Sequence, residues 1–213
     1  MFKPAGFNLE CRACPRLASF LDDVRTQYPG YHARPVAPFG DADPRLLIVG
    51  LAPGMHGANA TGRPFTGDYA GTLLYNTLYQ FGFSNRPTSQ SLTDGLELKG
   101  CRITNAVKCL PPQNKPVGSE VQTCNAYLKH ELAQLRPGTV VLALGGVAHG
   151  AVLRALGLKV GAYKFGHGRC YALENARWLI DSYHCSRYNT QTRRLTEDMF
   201  KGVFEQIRKL LAT

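Results

Sequence analysis

RLLIVGLAP, residues 45–53, is an unbroken apolar run that ends abruptly in Gly, Ala and Pro. Three further short, largely apolar stretches stand out: RITNAVK (102–108), TVVLALGG (139–146) and RWLIDSYH (177–184). Each has the length of one strand and is rich in β-branched residues or Leu. Near-continuous apolar character marks strands covered on both faces, as in a parallel sheet. Helical spacing fills the intervals at YAGTLLYNTLYQFGF (69–83), SEVQTCNAYLKHELAQL (119–135), VAHGAVLRALG (147–157) and LTEDMFKGVFEQIRKLL (195–211). Ser119 and Thr196 are the expected N-caps of the second and fourth, and Pro137 stops the second. Strands alternating with helices predict an α/β fold: a three-layer α/β/α sandwich around a central, mainly parallel four-stranded sheet. Ligands of such sheets collect at the carboxyl ends of the strands. Polar and glycine-rich segments fall there, in GLAPGMHG, TNAVKC and SYHCSRYN.

The chain has 213 residues, with 25 Lys plus Arg against 15 Asp plus Glu, a net charge of +10. Its 44% hydrophobic content excludes bulk disorder. One domain over 1–213 is expected. No apolar run approaches the length of a membrane span, and MFKPAGFNLECRAC has no secretory h-region, so a cytoplasmic protein is expected. The excess charge is +1 over residues 1–60, +5 over 61–160 and +4 over 161–213, with no block of like charge. Positive charge spread over a folded body suits a polyanionic partner.

Seven cysteines in such a chain point to metal or chemistry before disulfides. Cys11 and Cys14 form a CxxC, and Cys109 and Cys124 offer two more thiols. Four thiolates can take a structural zinc or an iron–sulfur cluster. Cys101 and Cys170 are expected to be buried packing residues, and Cys185 another. The loop GLAPGMHGANATGRPFTGD (50–68) fits neither a dinucleotide fingerprint nor a P-loop.

GLAPGMHG…TGRPFTGD, TNAVKCLPPQNKP and YHCSRYNTQTRRLT, in this order, with the four cysteines, resemble the uracil-DNA glycosylases. The similarity is closest to the family 5 branch (UDGb type), which is related to the iron–sulfur family 4 enzymes. The resemblance implies an α/β/α fold, a [4Fe–4S] cluster on Cys11, Cys14, Cys109 and Cys124 with zinc as the alternative, and excision of uracil or other deaminated bases, such as hypoxanthine, from DNA. It further implies a stacking role for Phe65, a base-reading role for Asn105, donors to the base oxygen from His184 and the backbone of Gly54 and Met55, and DNA contacts from Arg187 and Tyr188. A monomer bound to DNA is the expected form. Family 4 enzymes have a Glu where this chain has Leu51, and the family 5 resemblance puts Asp68 forward as the catalytic acid or base. Asp68 is equally placed to cap the helix beginning near Tyr69. His56, Asn59 and His167 lie in similar stretches without an assigned role. The competing function is a non-enzymatic nucleic-acid-binding protein with a four-cysteine metal site.

Overall fold

The computed structural model describes residues 6–212. The strands are β1 (Phe39–Gly40), β2 (Leu46–Gly50), β3 (Cys101–Asn105), β4 (Val140–Leu144), β5 (Cys170–Ala172) and β6 (Trp178–Ser182). The helices are α1 (Pro15–Gln27), α2 (Ala58–Thr61), α3 (Tyr69–Gln80), α4 (Gly118–Ala133), α5 (Gly146–Ala155), α6 (Arg187–Gln191) and α7 (Glu197–Ala212). The sheet order is β1-β3-β2-β4-β6-β5. Its four middle strands are the four apolar runs, all parallel. The sheet has six strands where four are expected from sequence, because antiparallel β1 and β5 close the two edges. With two and three residues, these edges are too short to carry a period-2 pattern.

Alternation along the buried strands builds two apolar layers. Leu46, Ile48, Ile103, Leu142 and Ile180 face Leu74 and Leu78 of α3 and Phe200, Val203, Phe204 and Ile207 of α7. Leu47, Val49, Val141, Ala143 and Leu179 face Leu128 and Leu132 of α4, Val152 of α5 and Leu17 of α1. The result is the three-layer sandwich that the sequence predicts.

Two local expectations are corrected. The N-cap of α4 is Val117, not Ser119. Glu120 folds back and accepts the Val117 N–H at 2.8 Å, so the cap lies two residues before the expected one. Cys170 is exposed, because it sits on the short edge strand β5, whereas Cys101 and Cys185 are buried as expected. Helix α1 adds to the sequence expectation: Pro15 occupies its first turn, and Leu17, Leu21 and Val24 form its buried face. Thr196 behaves as expected, its hydroxyl accepting the Met199 N–H at the start of α7.

Register decides where function can sit. Gly50 pairs with Asn105, and Leu144 pairs with Ser182. The parallel strands therefore end nearly level, and the segments leaving them meet along one edge of the sheet. No described helix is long and apolar enough to cross a membrane.

Candidate active site

At that edge lies a cavity of about 870 Å³. Gly54, Met55, Phe65, Asp68, Asn105, His184 and Arg187 all line it. Seven residues named from sequence thus converge from the exits of β2, β3 and β6. Tyr188 does not line the cavity; it projects beside it, 70% exposed. Leu51, Asn114, Gly145 and Val147 complete parts of the wall.

Phe65 is buried, and its backbone is in the left-handed region, with φ 55°. A bulky residue there costs roughly 1–3 kcal/mol and persists only where its surroundings hold it. The surroundings do so. Arg63 is paired with Asp94 at 2.8 Å, and the Tyr75 hydroxyl donates to Pro64 O at 2.8 Å. At Gly71, a Cβ would lie 1.7 Å from Phe65 O, so only glycine lets α3 sit this close to the loop. The Phe65 ring faces the His184 ring, with centroids 5.9 Å apart and 26° between planes.

Asn105 closes β3 and is 3% exposed. Its Oδ1 has no hydrogen-bond partner among the described residues. A buried amide oxygen left unpaired carries a desolvation cost that a ligand can relieve. Gly50, which sequence reasoning did not single out, sets how closely two candidate site residues approach. A Cβ at Gly50 would stand 2.4 Å from Asn105 Oδ1 and 2.6 Å from Phe65 Cζ. The one available signal was a glycine at the end of a strand otherwise made of Leu, Ile and Val. We expect Gly50→Ala to force Phe65 and Asn105 apart and to lower single-turnover cleavage by about tenfold or more, in line with the cost of small misplacements in active sites. Equal cleavage rates for Gly50→Ala and the native protein would show that this close approach is dispensable.

Asp68 is the N-cap of α3. Its Oδ1 accepts the Gly71 N–H at 2.9 Å. Its Oδ2 lies over the preceding loop, where a Cβ on Gly57 would be 2.7 Å away. One oxygen caps the helix while the other faces the cavity loop. Burial pushes the carboxyl pKa up, against the pull of the Gly71 and Ala70 N–H groups. Burial pushes the His184 imidazole down to about 4. At neutral pH the ring is therefore uncharged and carries one N–H.

The other residues of these segments shape the walls. Asn59 is fully buried, donates from Nδ2 to Met55 O at 3.4 Å, and donates its backbone N–H to Gly54 O at 3.0 Å. His56 is exposed, with Nδ1 2.8 Å from the Tyr31 hydroxyl. His167 accepts the Tyr183 N–H on Nδ1 and meets Met199 O through Nε2, which ties β6 to α7.

Cys11, Cys14, Cys109 and Cys124 line a second cavity, of about 280 Å³, between α1, α4 and the segment after β3. Burial pushes the Cys109 thiol up to about 12 and raises Cys14 and Cys124 as well. Neighbouring thiols reinforce the shift at Cys109, so the four groups sense one another electrostatically. Among the described residues, no three His, Cys, Asp or Glu side chains are arranged to hold a single metal ion.

The sequence model of the uracil DNA glycosylase superfamily matches residues 37–208, from β1 to α7. The chain belongs to the uracil-DNA glycosylase superfamily. It is similar to the type-5 uracil-DNA glycosylase of Thermus thermophilus, at 45% identity over 94% of this chain and 93% of that one. It is also similar to the type-5 enzyme of Pyrobaculum aerophilum, at 43% identity over 93% and 88% of the two chains. The type-4 uracil-DNA glycosylase of Archaeoglobus fulgidus is more distant, at 30% identity over 92% and 88%. Membership in this superfamily of hydrolases sets aside the non-enzymatic binding module expected as the competitor.

Proposed function

We propose that this protein hydrolyses the N-glycosidic bond of uracil in DNA and leaves an abasic site. The carrying observation is the convergence of Phe65, Asn105, Asp68 and His184 on one cavity from three different strand exits. The target base must leave the stack to reach such a cavity. Phe65 offers an aromatic face against which the base stacks. Asn105 offers one donor and one acceptor, which match the edge of a pyrimidine. As the bond breaks, negative charge grows on the base. The neutral N–H of His184 and the backbone N–H groups of Gly54 and Met55 are donors for its oxygen. Asp68 Oδ2 positions or deprotonates the attacking water. Arg187 and Tyr188, beside the cavity mouth, contact the DNA, and the excess positive charge holds its phosphates. One monomeric domain in the cytoplasm carries the whole reaction.

Leu51 lines the pocket without acid, base or hydrogen-bonding capacity. A pocket that makes fewer polar demands rejects fewer bases, so hypoxanthine and other deaminated bases are proposed as additional substrates.

The four cysteines are proposed to hold a [4Fe–4S] cluster. All four thiols open onto one cavity of about 280 Å³, which apolar Leu17 and Val107 also line. Four soft thiolates are also the ligand set of such clusters. When bound, the cluster ties the N-terminal segment to the β3 exit and α4.

A panel of duplexes, each with one modified base, tests the function. Incubation followed by alkali should break the uracil strand and leave a thymine control intact. An unbroken uracil strand would sink the proposal. Purified protein should contain iron and absorb broadly in the visible, and zinc in its place would overturn the cluster assignment.

A further inference from the structure

Lys108 and Glu131 form an ion pair at 2.6 Å, with side chains only 1% and 2% exposed. The function proposed above gives neither residue a role. Buried ion pairs are poor devices for stability alone, because well-packed apolar residues of the same size often do as well or better. What an ion pair adds is direction. Lys108 Nζ donates to three acceptors: Glu131 Oε1, the Thr104 hydroxyl and, at 2.9 Å, the backbone carbonyl of Asn105. Thr104 donates in turn to Glu131 Oε1 at 3.2 Å. The ammonium thus grips the backbone of the residue whose side-chain amide lines the pocket, at the point where β3 leaves the sheet.

The grip is anchored on both sides. Glu131 sits near the end of α4, so the helix layer holds the ammonium from below. The Lys108 backbone N–H donates to Cys124 Sγ at 3.2 Å, which holds the same segment from the cysteine cavity. Asn105 Oδ1 has no partner of its own among the described residues, so the carboxamide needs its direction set from behind.

We propose that Lys108, held by Glu131, is a positioning residue that fixes Asn105 for base recognition. This rests on the glycosylase function proposed above. Lys108 touches no substrate and acts only through Asn105.

The test measures single-turnover uracil excision and thermal unfolding for Lys108→Met, for Lys108→Met with Glu131→Leu, and for each in an Asn105→Ala background. Lys108→Met should slow excision about tenfold or more, yet change the rate less than about twofold once Asn105 is already Ala, the non-additivity expected of coupled groups. The paired apolar variant should recover thermal stability but remain slow. Native-like excision by the paired variant would overturn the proposal, as would an equal slowing by Lys108→Met with and without Asn105. Crystal structures of the native and paired variants give a readout that needs no turnover. An unmoved Asn105 overturns the proposal, and a displaced one supports it. If the native protein fails to release uracil, the proposed function falls, while the displacement still decides whether Lys108 positions Asn105.

Discussion

His184→Ala should lower the single-turnover rate of uracil excision by about 10²–10³-fold, the scale for losing one donor to a developing oxyanion. The base leaves as an anion, and the pocket around it is mostly apolar: Leu51, Ala52, Phe65, Leu144 and Val147 line it. A donor in such surroundings counts for more than it would in water. The donor must also be the right form of histidine. Burial holds the imidazole at about 4, below its ordinary 6.5, so the ring stays neutral through the physiological range. Excision by the native protein should show no inflection near pH 6.5 from this group. An inflection near 6.5 that disappears in His184→Ala would overturn the neutral-donor assignment. The same shift has a consequence for folding. The native state resists protonating His184 while the unfolded chain takes the proton readily. The stability tied to the neutral ring is fully present above about pH 6.5 and is lost as pH falls towards about 4. His184→Ala should therefore be less sensitive to acid across that window when unfolding is followed against pH.

Asp68→Asn should lower excision by roughly two orders of magnitude, the usual scale for an acid–base group. The substitution separates two functions that share one side chain. Oδ1 accepts the Gly71 N–H, and an asparagine oxygen can do the same with nearly equal capping strength. Oδ2 faces the loop at Gly57, where only a carboxylate can act as a base. Asp68→Asn should therefore keep its unfolding temperature while losing activity. Asp68→Ala should lose activity and about 1 kcal/mol of stability, the typical cost of a deleted cap. Near-native excision by Asp68→Asn would leave Asp68 as a cap alone. Burial raises the Asp68 carboxyl above its ordinary 3.8, and the base proposed for the reaction is its anion. Activity should accordingly fall with acid at a higher pH than an exposed aspartate would give, and this limb should vanish in the Asn variant.

Much of this architecture is visible in the sequence because it depends on neighbours along the chain. Leu46 to Val49 alternate between two apolar layers, and any strand with that composition must be covered on both faces. Phe65 lies between Gly62 and Gly67 in a polar loop, and Asn105 is an amide inside a strand-length stretch, so both stand out as residues that a plain core would not use. The edge strands were hidden for the opposite reason: pairing with β3 and β6 makes Phe39–Gly40 and Cys170–Ala172 into strands, and the sequence around them carries no trace of it. At the start of α4, Glu120 takes the N–H of the cap Val117 and also pairs with Arg16 on α1, a residue 104 positions away that no local pattern links to it.

The sequence by itself determined the four parallel strands, the helical layers, the family resemblance and the residues to seek at the strand exits. The strands and helical layers follow from periodicity, and the residues to seek follow from the resemblance. Only the tertiary structure decided that Gly50 gives Phe65 and Asn105 room, that Asp68 divides its two oxygens between a helix and a loop, that burial keeps His184 neutral, and that Lys108 reaches the Asn105 backbone from Glu131. Close approach and burial bring together residues remote in the chain, and no local pattern records which of them will meet.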